Sequence, residues 1–200
     1  MGRPKHTVTV VGHGATRVVP DSAVVHVTAT HRAASLAEAL AGAESARESV
    51  VAVARRFTDR VASQHLTVSR EDHHGGFEVD AFAARHSLVL RCDGLEEAGD
   101  LVTALAEEVG NRLSIDHVGL EVAETDDAER WAREAAFTDA RAKAEHLAAQ
   151  AGGGLGAVVS IAEGGASGSP RFARAMVASA HFEPGETTVE QQLTVTFELT

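Results

Sequence analysis

The sequence predicts an α+β fold, an antiparallel or mixed β-sheet with about three helices packed on one face. Three observations carry this expectation. Several stretches alternate apolar and polar residues, the period of a half-buried strand. Three longer stretches repeat apolar residues at three and four positions, the period of a helix lying on a core. Adjacent strand stretches are joined by short turns, which favours antiparallel pairing with helices over one face. The 200 residues read as a single domain with a short tail at 1–6 and a flexible Gly/Ser-rich loop at 164–170. No interdomain linker and no short-period repeat stands out.

Taken in order, Thr7 to Gly12 alternates and predicts a first strand, which Gly12-His13-Gly14 is expected to break. A second strand is expected from about Arg17 to His31, with Pro20 at its entrance because proline has no ladder donor. Ser35-Leu36-Ala37-Glu38 is a capping box, in which the serine oxygen and the glutamate satisfy early backbone donors. The helix it opens is expected to run to about Val61, with Leu36, Leu40, Ala43, Val50, Ala54, Phe57 and Val61 on its inner stripe. Gln64 to Glu71 and Phe77 to Cys92 read as two strands joined by a hairpin turn over Asp72-His73-His74-Gly75-Gly76. The apolar phase slips by one residue along the second of these, which predicts a β-bulge near Ala83 to Arg85.

A second helix is expected over about Leu95 to Val109, stopped by Gly110-Asn111. Leu113 to Ala123 reads as a strand. A third helix is expected to begin near Asp126, with Glu129 completing an Asp-x-x-Glu cap, and to end at Gly152-Gly153-Gly154. Its span of about 26 residues corresponds to about 39 Å. Alanine recurs at 128, 132, 136, 140, 144 and 148, so a neighbour is expected to pack very close to that face. Ala157 to Glu163 and Val189 to Leu199 complete the set as strands.

Composition narrows the function. Eighteen basic residues stand against 29 acidic ones, a formal net charge of −11. Nucleic-acid binding depends on clustered Lys and Arg that neutralise phosphate, and the densest basic group, Arg55, Arg56 and Arg60, reads as a solvated helix face. Neither a nucleic-acid partner nor an anionic membrane surface is expected. The chain opens without an apolar signal region and has no run of 18 apolar residues, so a cytoplasmic protein without membrane insertion is expected. Cys92 is the only cysteine, which precludes an intrachain disulfide.

No motif announces a reaction. Gly12-x-Gly14 follows a strand, but Arg17 stands where the third glycine of a dinucleotide fingerprint belongs, and no helix N-terminus follows to hold a pyrophosphate. Gly152 to Gly156 closes a helix and reads as a cap and turn. The eleven histidines include no zinc spacing; His73 and His74 beside Asp72 form the best candidate metal cluster, with turn residues as the simpler reading. His26 and His31 read as strand residues. Cys92 shares a face with Leu88 and Leu90 and reads as a buried, inert thiol; a nucleophilic role would need a helix N-terminus or a base to lower its pKa. The acidic pairs Glu96-Glu97, Glu107-Glu108 and Asp126-Asp127 sit at helix ends or exposed positions. No catalytic residue, metal site or cofactor is expected.

Four segments, in this order, resemble the SIMPL-domain family, also called YggE-like. The first is Val11-Gly12-His13-Gly14 followed by Pro20-Asp21. The second is Val109-Gly110-Asn111, then Val118-Gly119-Leu120-Glu121-Val122. The third and most specific runs Ala135-Ala136-Phe137-Thr138-Asp139-Ala140-Arg141-Ala142-Lys143-Ala144-Glu145-His146-Leu147-Ala148, then Leu155-Gly156 and Ile161-Ala162-Glu163. The fourth is Pro184-Gly185-Glu186 before Leu193-Thr194-Val195-Thr196-Phe197. The resemblance covers about residues 7 to 199. It implies an α+β fold and a tendency to self-assemble, and it supplies no catalytic residues. Many bacterial relatives are exported envelope proteins, some linked to oxidative-stress tolerance, and an animal relative takes part in kinase-linked signalling. Phe77 stands where relatives often carry tyrosine.

The expectation is therefore a non-enzymatic, self-associating cytoplasmic protein, stress-related or a protein-interaction module, and a homo-oligomer. Arg171 to Phe182 carries Phe172, Met176, Val177 and Phe182, too apolar for a solvated linker, and these four are the candidate oligomer interface. The alternatives are a small-molecule or metal-binding module that uses the histidines, and an enzyme acting through Cys92 or a carboxylate.

Overall fold

A computed structural model describes residues 6–71, 81–164 and 182–200. Its elements follow the expected order: β1 (Thr7–Val18), β2 (Ser22–Ala33), α1 (Leu36–Ala54), β3 (Val61–Glu71), β4 (Ala81–Cys92), α2 (Leu95–Glu108), β5 (Leu113–Glu121), α3 (Asp126–Gln150), β6 (Leu155–Glu163) and β7 (Thr187–Leu199). The fold is α+β and every strand pairing is antiparallel. The strands divide between two sheets, β1-β7-β6 and β3-β4-β2-β5, where the sequence suggested one. Alternation within a strand specifies which face is buried but not which strand lies beside it, so the division is invisible in the pattern.

The described residues form two compact units. One comprises 6–19, 124–164 and 186–200; the other comprises 20–71, 81–123 and 182–185. The chain thus leaves the first unit after Val19 and re-enters it at Glu124.

In the second unit α1 and α2 pack on the four-stranded sheet. Val25, Val27 and Ala29 of β2 and Leu88, Leu90 and Cys92 of β4 meet Ala46, Val50 and Val53 of α1 and Leu101 and Leu105 of α2 in one buried cluster. Ser35 caps α1 as expected, accepting a hydrogen bond from the Glu38 backbone N–H at 3.3 Å. The helix ends at Ala54, short of the expected Val61, and its buried face is built mainly of alanines, with Leu36 exposed. The stop is local chemistry: the Thr58 hydroxyl donates to the Arg91 carbonyl at 2.5 Å and accepts from the Arg60 N–H at 3.0 Å, turning the chain into β3. The expected bulge at Ala83–Arg85 is absent, since those residues pair with β2 in continuous register. The register shift lies across from β4, between Ser63 and His65 of β3. An extra residue in an edge strand disturbs one ladder, whereas in β4 it would disturb two. The turn expected at 72–76 lies outside the described residues.

Asp21 closes this unit. Its carboxylate accepts from the Ala123 N–H at 2.7 Å, and its own N–H donates to the Glu121 carbonyl at 3.1 Å, tying the start of β2 to the end of β5. Gly110, at φ +61°, ends α2 in the left-handed region that favours glycine.

In the first unit α3 lies on β1 and β7. Val10 of β1 and Leu193, Val195 and Phe197 of β7 are buried with Ala136, Ala140 and Ala144. The glycines expected to break β1 lie inside it, for the strand runs on to Val18. A Cβ on Gly12 would fall on the Ala136 carbonyl oxygen and one on Gly14 on that of Ala132, so these glycines are where the helix backbone touches the strand. The alanine period expected to admit a close neighbour and the glycine pair are the two sides of that contact. The cap of α3 also differs from expectation: Thr125 is the N-cap, and its hydroxyl donates to Glu129 at 3.1 Å, while Asp126 is already helical. Gly152, at φ +77°, follows the end of α3, consistent with the cap-and-turn reading of the glycine run.

Candidate functional site

The four-stranded sheet presents a second face, away from α1 and α2, on which polar side chains stand beside the buried Val24 and Val89. Cross-strand pairing places Thr28 beside Ser87 of β4, and Ser87 beside His65 of β3. The side chains follow the register. His65 Nε2 lies 3.1 Å from Ser87 Oγ, Ser87 Oγ lies 3.0 Å from Thr28 Oγ1, and Thr28 Oγ1 donates to Asp116 Oδ2 of β5 at 2.6 Å. One hydrogen-bonded row therefore crosses all four strands.

Its direction is fixed from the carboxylate end. A carboxylate only accepts, so Thr28 spends its single proton on Asp116. Thr28 must then accept from Ser87, and Ser87 from His65, which presents Nε2–H. A histidine that donates to a serine cannot take that serine's proton, so the His65–Ser87 pair has the polarity opposite to a nucleophile and its base. Beside this row Arg85 donates to Glu71 at 2.9 Å, and Arg91 donates to Glu121 at 2.6 Å.

One rung along β2 from Thr28, His26 stacks on His117 of β5, with ring centroids 4.0 Å apart and planes inclined by 14°. His26 is lowered below the ordinary histidine value, first by burial and then by His117 and Arg91; Asp116 and Glu121 partly offset this. His31 lies on the helix-packed face, where its ring fills the space beside Gly42 that a Cβ would need. The stack could not be read from the sequence, because His117 stands 91 positions from its partner.

The other sequence candidates place as follows. Cys92 is buried and free, and its thiol is pushed up to about 11, first by burial and then by Glu97 and Asp93, against a small opposing effect of Arg60. The nearby start of α2 does not outweigh burial. Arg55, Arg56 and Arg60, expected on a helix face, stand in the turn after α1; Arg56 donates to Glu108 at 2.8 Å and Arg60 pairs with Asp93. Asp72, His73 and His74 lie outside the described residues, as do Phe172, Met176 and Val177. Phe182 packs, partly buried, against the core of the second unit. Among the described residues no three His, Cys, Asp or Glu side chains group closely enough to hold a metal ion.

The first unit contrasts two sheet edges. At β1 two open-edge groups are satisfied by α3: Asp139 accepts from the His13 N–H at 2.8 Å, and Lys143 donates to the Val11 carbonyl at 3.0 Å, the two side chains being paired at 2.5 Å. At the other edge, β6 leaves Val158, Val159 and Ile161 exposed by 41%, 52% and 55%. The contact made by Asp139 and Lys143 was missed in the sequence, although both sit in its most specific segment, four apart on one face of a helix. No helix among the described residues is long and apolar enough to cross a membrane.

Comparison with curated proteins finds no match. A family model does match: SIMPL, described as a protein of unknown function (DUF541), over residues 8–197. That match spans both units and every element from β1 to β7, and it is not the model of a known enzyme family. The chain belongs to the SIMPL family.

Proposed function

We propose that this chain is a non-enzymatic protein that self-associates along the open edge of β6. The observation that carries the reading is the contrast between the two edges of the three-stranded sheet. At the middle of the β1 edge Asp139 and Lys143 occupy two backbone groups, the kind of device that hinders strand addition. The β6 edge offers exposed Val158, Val159 and Ile161. A second copy suits that edge. Residues 157–161 read Ala-Val-Val-Ser-Ile without a charge, so antiparallel pairing of two β6 strands about a two-fold axis sets no like charges opposite each other. Phe172, Met176 and Val177, the apolar residues that follow β6 in the sequence, are further candidates for this contact. The resemblance to stress-linked relatives supports a role in stress tolerance.

The absence of catalysis is part of the same reading. It is supported by a buried Cys92 whose pKa is raised and by a His65–Ser87 pair with the wrong polarity for attack.

Light scattering coupled to size exclusion at micromolar concentration is the test. The full chain should elute at a multiple of 20.9 kDa. The double variant Val159→Lys/Ile161→Lys should return to a single chain's mass with its circular dichroism unchanged. A monomer at every concentration overturns self-association; a variant that keeps the assembled mass overturns the β6 contact.

A further inference from the structure

The stacked histidines lie where the sheet is least regular. His26 pairs with His117, but the next residue of β2, Val27, pairs with Ile115, so Asp116 is an extra residue in β5 and the ladder shifts there. Among the described residues β5 is an edge strand whose one strand neighbour is β2. Backbone pairing is interrupted at this rung, and the side-chain stack and the Thr28–Asp116 hydrogen bond span it.

We propose that the His26–His117 stack is an acid-sensitive latch that holds β5 onto β2 at this bulge. Two neutral imidazoles stack favourably, whereas two imidazolium rings 4.0 Å apart repel. The charged neighbours are few. Arg91 of β4 adds to the repulsion; Asp116 and Glu121 of β5 oppose it, yet Glu121 is engaged by Arg91 and Asp116 by Thr28. His65 reaches this region only through Ser87 and Thr28 and already donates along that row, so its protonation leaves the row's direction unchanged. On the helix side, Val118 and Leu120 of β5 belong to the buried core, so release of the strand would bare apolar surface.

The sign follows from His26 being lowered. Above the ordinary value of 6.5 the ring is neutral whether β5 is attached or free, and the latch is fully formed. Below 6.5 the detached state binds protons more readily than the attached one, so attachment weakens as pH falls.

Hydrogen exchange of the full chain tests this. Protection of residues 113–121, corrected for intrinsic exchange, should fall from pH 7.5 to pH 5.5 by about fivefold, the factor for two unit charges at this separation in bulk water. Protection of β4, held on both sides, should change less. In His117→Phe, which keeps a ring and loses the charge, the acid loss should shrink, leaving only the part due to the burial of His26 and to Arg91. If that variant does not fold, His117→Gln serves, and it too should show the smaller acid loss. Equal loss in the wild type and the variant, or no loss in the wild type, overturns the latch. A His26 titration midpoint at or above that of exposed histidines, measured by NMR, overturns it as well.

Discussion

At the scale of single residues, the smallest side chains decide most. Gly12 and Gly14 carry no side chain because the backbone of α3 occupies that space, with the Ala140 Cβ only 2.7 Å from where a Gly12 Cβ would stand. Gly12→Ala or Gly14→Ala must push the helix off the strand, and overpacking of this kind costs about 1–3 kcal/mol. Gly119, whose nearest neighbour would be the Val24 carbonyl at 4.0 Å, should tolerate alanine within about 0.5 kcal/mol. Urea unfolding of the three variants checks both statements; equal costs at Gly12 and Gly119 would refute the close-approach account. The same residues show what was legible early. Arg17, in place of a third glycine, argued against a nucleotide reading, yet what the glycines serve required Ala132 and Ala136, more than a hundred positions away. The burial of Cys92 was also legible from its apolar neighbours.

At the scale of elements, α3 is the most informative. One face buries an alanine every fourth residue, and a second face holds Asp139 and Lys143 over the β1 edge. The Asp139 carboxyl lies below its ordinary value of 3.8, first through Lys143 and then through the His13 N–H. A lowered carboxyl contributes stability that is present above the ordinary value and lost as pH falls through the folded one. Exchange protection of the His13 amide should therefore persist at pH 4.5 and collapse only in stronger acid. Asp139→Asn should remove that acid step and weaken protection at neutral pH. An Asp139→Asn profile identical to the wild type would show that the clamp contributes nothing. The helix was predicted from its period, and its cap was misassigned by one residue, because Thr125 and Asp126 are both good capping types.

At the scale of the whole molecule, charge and assembly oppose one another. A formal net charge of −11 repels every copy from every other. The proposed β6 contact is apolar and uncharged, so its own contribution is insensitive to screening. Self-association should thus strengthen as sodium chloride rises from about 0.05 M to about 0.5 M, where the Debye length shrinks to a few ångströms. Light scattering across that series should show the assembled fraction increase at fixed protein concentration. A decrease would mean that ion pairs, not the apolar edge, hold the copies together.

The sequence by itself determined the order of ten elements, the antiparallel habit, the SIMPL resemblance and the poverty of catalytic signals. These are local properties: periodicity, caps and turn residues act within a few positions of each other. The tertiary structure alone decided that the strands form two sheets, that β1 runs through its glycines, that the register shift lies in β3 and not in β4, and that His26 meets His117. Each of these depends on which strand lies beside which. Alternation with a period of two is the same for any neighbour, so partner choice is settled only when the whole chain has packed.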